Sequence, residues 1–207
     1  MAVGSSSLWH APAPLLLASK SSARRRVLEA AAIPVETEAA DIDERAIETQ
    51  SGLTDPAAVA MLLARSKALA AAAHHPARLV LGADQTLALG ERRFSKPADR
   101  AAAAAQLRAL GGRSHHLHSA ICLASEGRVL FAHCSVATLT MRALSEDMID
   151  TYLDMVGSDA LTSVGAYQIE GAGIHLFERV EGDHFTILGL PLLPLLDHLR
   201  REGWLAA

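Results

Sequence analysis

Apolar positions along the chain change their spacing several times, and each change marks an element. Leu15-Leu16-Leu17-Ala18 is a short continuous apolar run and reads as a buried strand. It runs into Ser19-Lys20-Ser21-Ser22, and a helix is expected over 23–32, with Ser21 or Ser22 as its cap and Pro34 as its stop. A second extended piece covers 35–39, ahead of acidic Asp41-Ile42-Asp43-Glu44. Asp55-Pro56 joins a capping side chain to a proline at the first helical position, which predicts a helix reaching about His74. Residues 79–83 read as another buried strand that continues at 87–89. Asp99 opens an alanine-rich helix that stops at Gly111-Gly112. Strands are expected over 115–124, over 129–141 and around 174–178, with Glu126-Gly127 as a hairpin turn. Ser145 followed by Glu146 and Asp147 predicts a helix that ends at Gly157, and a last helix follows Pro191 and stops near Gly203.

Strands and helices alternate early and a hairpin sits in the middle. That order predicts an α/β fold, a mixed sheet with helices packed around it. At 207 residues the chain is one domain, or one compact unit with two lobes. Residues 1–14 are expected as a short N-terminal tail and 15–207 as the domain.

Composition narrows the function. Lys and Arg number 19 and Asp and Glu 23, a formal charge of −4, which argues against a nucleic-acid binder working through a broad basic surface. Aromatic residues make up 4%, too few for a base-stacking platform, which disfavours a nucleic-acid enzyme as well. A small basic pocket for a phosphorylated molecule stays open. If Glu126-Gly127 centres the hairpin, Cys122 lies opposite Phe131 and Cys134 opposite Ser119, so the two thiols are not cross-strand partners. Sparse unpaired cysteines fit a reducing compartment. No apolar run reaches the ~18 residues that span a bilayer, and the N-terminus lacks the pattern of a signal peptide. The expectation is a cytoplasmic protein without a membrane partner.

Several residues sit oddly for a purely structural domain. Arg24, Arg25 and Arg26 fall in the first turn of a helix, where cations are unfavourable unless an anion joins them. Their planar forks match phosphate oxygens; the bland alternative is a solvated basic face. Asp84 follows an apolar strand, and the carboxyl ends of strands are where α/β sheets bind ligands. A carboxylate there can hold a metal or take a proton from water, or it can be a turn residue. Lys96 lies in the loop Ser95-Lys96-Pro97. Lys67 lies mid-helix among alanines, and its pattern alone favours a snorkelling surface lysine. The stretch from Ser163 to Gly171 is glycine-bearing and low in charge, which lets backbone approach a ligand. His115, His116 and His118 come without Cys or carboxylate ligands spaced to close a zinc site.

These pieces together resemble the Maf family over residues 15–199. Ala18-Ser19-Lys20-Ser21-Ser22-Ala23-Arg24-Arg25 is similar to its opening motif, and Gly82-Ala83-Asp84-Gln85 to its strand-end aspartate motif. Ser95-Lys96-Pro97 resembles its Gly-Lys-Pro loop. Gly165-Ala166-Tyr167-Gln168-Ile169-Glu170-Gly171 resembles its late glycine loop, and Glu181-Gly182-Asp183 with Gly189-Leu190-Pro191 its closing segment. The resemblance implies a Maf/ITPase-like fold, a mixed twisted sheet with two lobes around a central cleft, assembling as a homodimer. It implies a nucleoside triphosphate pyrophosphatase dependent on Mg²⁺ or Mn²⁺. A nucleotide-binding regulator of cell division (septum formation arrest) with secondary catalysis is the alternative.

By that likeness Asp84 activates water, Asp84 and Glu44 hold the metal, and Arg25, Lys67 and Lys96 hold the triphosphate. Ser19, Ser21 and Arg24 join the substrate-binding set. Ala23, Gln85 and Glu170 occupy the positions that sort bases in the family: Gln85 and Glu170 match the branch acting on 7-methyl-GTP, while Ala23 matches neither branch. Ser22 replaces a usual proline, and Ser163 stands where a lysine is common. A cluster of cations would also keep Asp84 ionised.

Overall fold

In the computed structural model, which describes residues 8–207, seven strands form one mixed sheet. They are β1 (Leu15–Ala18), β2 (Val35–Thr37), β3 (Val80–Leu89), β4 (Arg92–Phe94), β5 (Ser114–Ser125), β6 (Arg128–Met141) and β7 (Phe177–Glu181). Their order is β2-β1-β3-β5-β6-β7, with β4 paired to β3. β1 runs parallel to β2 and β3, and the other pairings are antiparallel. Flanking the sheet are helices α1 (Ser22–Ala30), α2 (Glu44–Ser51), α3 (Pro56–His74), α4 (Arg100–Leu110), α5 (Glu146–Val156), α6 (His184–Ile187) and α7 (Leu192–Arg201). The α/β fold expected from sequence, a mixed sheet with flanking helices, is the one observed.

β3 organises the molecule, because its side chains alternate between two faces. On one face Val80 packs with Ala60, Ala64, Ala68 and Ala71 of α3. Small residues one turn apart on α3 let the helix lie almost on the strand. A Cβ added at Gly82 would stand 2.1 Å from the Ala64 carbonyl oxygen and 2.6 Å from the Ala68 nitrogen. The next two residues on this face also meet α3: Asp84 bonds Lys67, and the Thr86 hydroxyl donates to the Pro56 carbonyl at 2.9 Å. On the other face Leu81 and Ala83 join a core with α1 and α7, whereas Leu87 joins a second core with α4 and α5. Gln85, on the same face between those two cores, pairs with Ser119 across the ladder. This polar pair marks the seam where the cavity opens.

The differences from expectation have local causes. α2 was not expected: it buries none of its residues, so it carries no apolar stripe to read. β4 is three residues long, two of them Arg. The strand expected around 174–178 begins later, as β7, because Ala172–Leu176 forms a 3-10 helix. In the hairpin, Glu126 and Gly127 both take positive φ, the primed turn that suits a two-residue loop. A bulge between Leu123 and Ala124 then shifts the register, so Cys122 faces Ala132 and Cys134 faces Ala120. Both thiols are free. Residues 8–14, expected as tail, are tied down: Trp9 is buried and bridges Leu205, and the His10 amide donates to the Trp204 carbonyl at 2.9 Å. The first seven residues of that expected tail lie outside the described residues. α3, with 19 residues, is long and apolar enough to cross a bilayer by length and composition, unlike the runs read from sequence. Its buried face, with Val59, Leu63 and Lys67, packs against the sheet.

One buried group gives the fold a pH dependence. His115 is fully buried, its Nε2 is 2.7 Å from the Tyr167 hydroxyl, and its Nδ1 has no hydrogen-bond partner among the described residues. Burial lowers its pKa from 6.5 to about 4, with His116 adding to the effect. The folded state thus keeps His115 neutral while the unfolded chain protonates near the ordinary value. This contribution is complete above that value and is lost as pH falls towards 4. Denaturant titrations should show about 2 kcal/mol less stability from this group at pH 5 than at pH 7. His115→Gln should flatten that slope; an unchanged slope would rule out His115 as its source.

Candidate active site

A cavity of about 1010 Å³ opens where the parallel part of the sheet ends. β1 stops at Ala18, opposite Gly82, while β3 continues. Asp84 therefore lies just past the carboxyl edge of the parallel strands. It was expected after a strand and instead sits in the middle of β3, which runs on as the antiparallel partner of β5. The crevice position survives that correction.

The centre of the cavity is a charge cluster. Lys67 Nζ donates to Asp84 Oδ1 at 2.6 Å and lies 3.1 Å from Glu44 Oε1. Lys67 and Asp84 are both buried. The surface position favoured for Lys67 by pattern alone is overturned, because the close seating of α3 at Gly82 turns Lys67 inward. Burial raises the Asp84 pKa above the usual carboxylate value, while the Lys67 and Arg24 charges oppose the rise. The cations were expected to dominate; desolvation is instead the larger effect.

The three arginines diverge because successive helical residues point about 100° apart. Arg24 turns into the cavity: Nε donates to the Gly189 carbonyl at 2.8 Å, and Nη1 to Ser19 Oγ at 3.1 Å and the Ala83 carbonyl at 2.9 Å. Burial lowers its pKa, opposed by Asp84 and then Glu44, and a guanidinium stays charged regardless. Arg25, expected on the triphosphate, does not line the cavity; its Nε bonds Glu29 at 2.7 Å on the exposed side of α1. Arg26 lines the cavity and reaches Glu170 at 3.5 Å, linking α1 to the late glycine loop.

Ser19, Ser21, Ala23, Gln85, Lys96 and Glu170 all line the same cavity. Ser21 caps α1 by accepting from the Arg24 amide at 3.4 Å. This leaves a helix N-terminus, a natural anion seat, at the cavity wall. Gln85 Nε2 donates to Ser119 Oγ at 2.8 Å and approaches the Ile187 and Thr186 carbonyls at 3.1 and 3.2 Å. Carbonyls only accept, so the amide nitrogen must point there, and Oε1 remains as the free acceptor. Sequence reasoning named Arg26 only as part of the arginine triplet and did not single out Lys20 or Ser119. Lys20 and Arg26 were visible beside the serine-rich turn, whereas Ser119 needed the ladder register.

No group of three or more His, Cys, Asp or Glu side chains gathers as a metal site among the described residues. Glu44 and Asp84 each engage Lys67 through one oxygen, which leaves each a second oxygen. Mg²⁺ is commonly held by one or two carboxylates plus phosphate oxygens and water. The pair fits a cation shared with a phosphorylated ligand, not a closed protein cage.

The chain is similar to known proteins over nearly its whole length. Residues 14–202 match the family model described as Maf-like protein. A Rhodopseudomonas palustris protein named nucleoside triphosphate pyrophosphatase is 60% identical over 199 residues, 96% of this chain and 98% of its own. A Bradyrhizobium diazoefficiens protein of the same name is 57% identical over 199 residues, with the same coverage of both chains. A Brucella abortus protein named 7-methyl-GTP pyrophosphatase is 51% identical over 191 residues, 91% of this chain and 96% of its own. The Asp84–Lys67–Glu44 cavity therefore sits in a chain that belongs to the Maf-like protein family.

Proposed function

We propose that this chain is a nucleoside triphosphate pyrophosphatase that cuts between the α and β phosphates, releasing a monophosphate and pyrophosphate. The observation that carries the reading is the buried Lys67 bridging Asp84 and Glu44 at 2.6 and 3.1 Å inside a cavity rimmed by cations. Transfer at phosphorus needs positioning and charge neutralisation more than covalent chemistry. Lys96, Lys20, Arg24 and the N-terminus of α1 offer positive charge for the triphosphate. Asp84, with no hydrogen bond to Oδ2 among the described residues, takes the proton of the attacking water. Lys67 fixes the orientation of that carboxylate. Glu44 and Asp84 would hold a divalent cation, Mg²⁺ or Mn²⁺, which when bound would supply further charge neutralisation. Cytoplasmic location rests on the sparse, unpaired cysteines, and homodimer assembly on the family likeness.

The base end of the cavity offers acceptors: Gln85 Oε1 and the Glu170 carboxylate. Such a wall suits a base edge with N–H donors and tolerates positive charge, which 7-methylguanine has and uracil and thymine lack. The substrate class is therefore a guanine-type, methylated triphosphate. A pyrophosphate-release screen over 7-methyl-GTP, GTP, UTP and dTTP with Mg²⁺ or Mn²⁺ tests this. The highest kcat/KM should fall on 7-methyl-GTP. A preference for UTP and dTTP would reverse the base assignment, and release from none would remove the enzymatic reading.

A further inference from the structure

α2 carries Glu44 into the charge cluster, yet its apolar anchoring is slight: Ala46 and Ile47 are half-buried and none of its residues is fully buried. Ion pairs therefore carry much of its docking. Glu44 and Glu48 lie one turn apart, on the same face of α2. Glu44 reaches Lys67, and Glu48 reaches Arg93 Nη2 in a short ion pair. Arg93 and Glu48 keep only 26% and 35% of their side-chain surface exposed, so water screens this pair less than the rim pairs. Arg93 sits in β4, paired with Ala88 of β3, and the chain leads from there directly into Ser95-Lys96-Pro97. One ion pair thus joins the helix that bears Glu44 to the strand that leads to Lys96. Both ends of the pair lie outside the cavity lining, so neither touches a ligand there.

We propose that Arg93 is a positioning residue: by holding Glu48 it docks α2 and sets the Glu44 carboxylate beside Lys67 and Asp84. This inference rests on the pyrophosphatase reading for its consequence in catalysis, but not for the docking itself. Without Arg93, α2 keeps the Glu44 ion pair and the half-buried Ala46 and Ile47, and its backbone opens more often. Glu44 then spends less time in the reactive arrangement, which lowers turnover and spares the cations that bind triphosphate.

The test uses the full chain with Arg93→Met, Glu48→Gln and the exchanged pair Arg93→Glu with Glu48→Arg. Amide hydrogen exchange over residues 44–51 and steady-state pyrophosphate release are both read. Each single variant should speed exchange over 44–51 about tenfold and lower kcat about tenfold, with KM held within about threefold. The exchanged pair should recover both readouts to within about threefold, a recovery that a merely destabilised fold would not give. Native exchange over 44–51 in Arg93→Met overturns the proposal. So does a folded exchanged pair that recovers neither readout, or an active parent whose kcat ignores Arg93→Met. A parent protein that releases no pyrophosphate removes the functional reading instead, and the exchange data still decide the docking.

Discussion

Asp84→Asn should lower kcat for pyrophosphate release on the order of 10³-fold, the range typical of a lost general base. The substitution keeps shape and hydrogen bonding but removes the charge that receives the proton. Lys67 is not left alone by it, because Glu44 remains 3.1 Å from Nζ. The melting temperature should therefore move by only a few degrees, unlike the loss seen when a buried ion loses its sole partner. Nucleotide affinity, read by calorimetry without divalent cation, should hold or rise, since a negative charge has left the neighbourhood of the triphosphate. A fall of less than tenfold would show that Asp84 does not take the proton. Binding that vanishes with turnover would make it a ligand-holding residue instead.

Gly82→Ala should be the most damaging single methyl group that can be added to β3. The new Cβ would lie 2.1 Å from the Ala64 oxygen and 2.6 Å from the Ala68 nitrogen, and both are backbone atoms of α3 that cannot rotate away. Relief requires the helix to lift from the strand. Denaturant unfolding should show a loss on the order of 3 kcal/mol or more, at the upper end of overpacking effects. Activity should fall beyond the unfolded fraction, because lifting α3 draws Lys67 away from Asp84. A displacement near 1 Å is enough for roughly a 10²-fold loss. A variant of native stability and native kcat would show that α3 has room the structure does not give it.

These two residues also mark where the sequence could and could not be read. β1, β3 and α3 announce themselves through apolar runs and the Asp55-Pro56 start, and β3, α3 and the central hairpin form the frame of the site. Asp84 was visible as a carboxylate in apolar company. Lys67 was not: its burial depends on Gly82, a residue 15 positions on, allowing two backbones to touch, and no local pattern encodes that. α2 escaped notice because Ala46 and Ile47 are its only apolar residues, too few to make a stripe. The arginine triplet pointed to the cavity wall but could not say which side chain turns inward. Helical rotation and the acceptor at Gly189 select Arg24, while Glu29 one turn on draws Arg25 outward. The cysteine register missed by one residue because a bulge leaves no mark in composition.

The central claim is the bond that breaks, and ³¹P NMR of the products tests it directly. With the preferred triphosphate and a divalent cation, the spectrum should show a nucleoside monophosphate and pyrophosphate growing in equal amounts. A nucleoside diphosphate with orthophosphate would place the attack at the γ phosphate and contradict the arrangement of water, Asp84 and triphosphate proposed for this cavity.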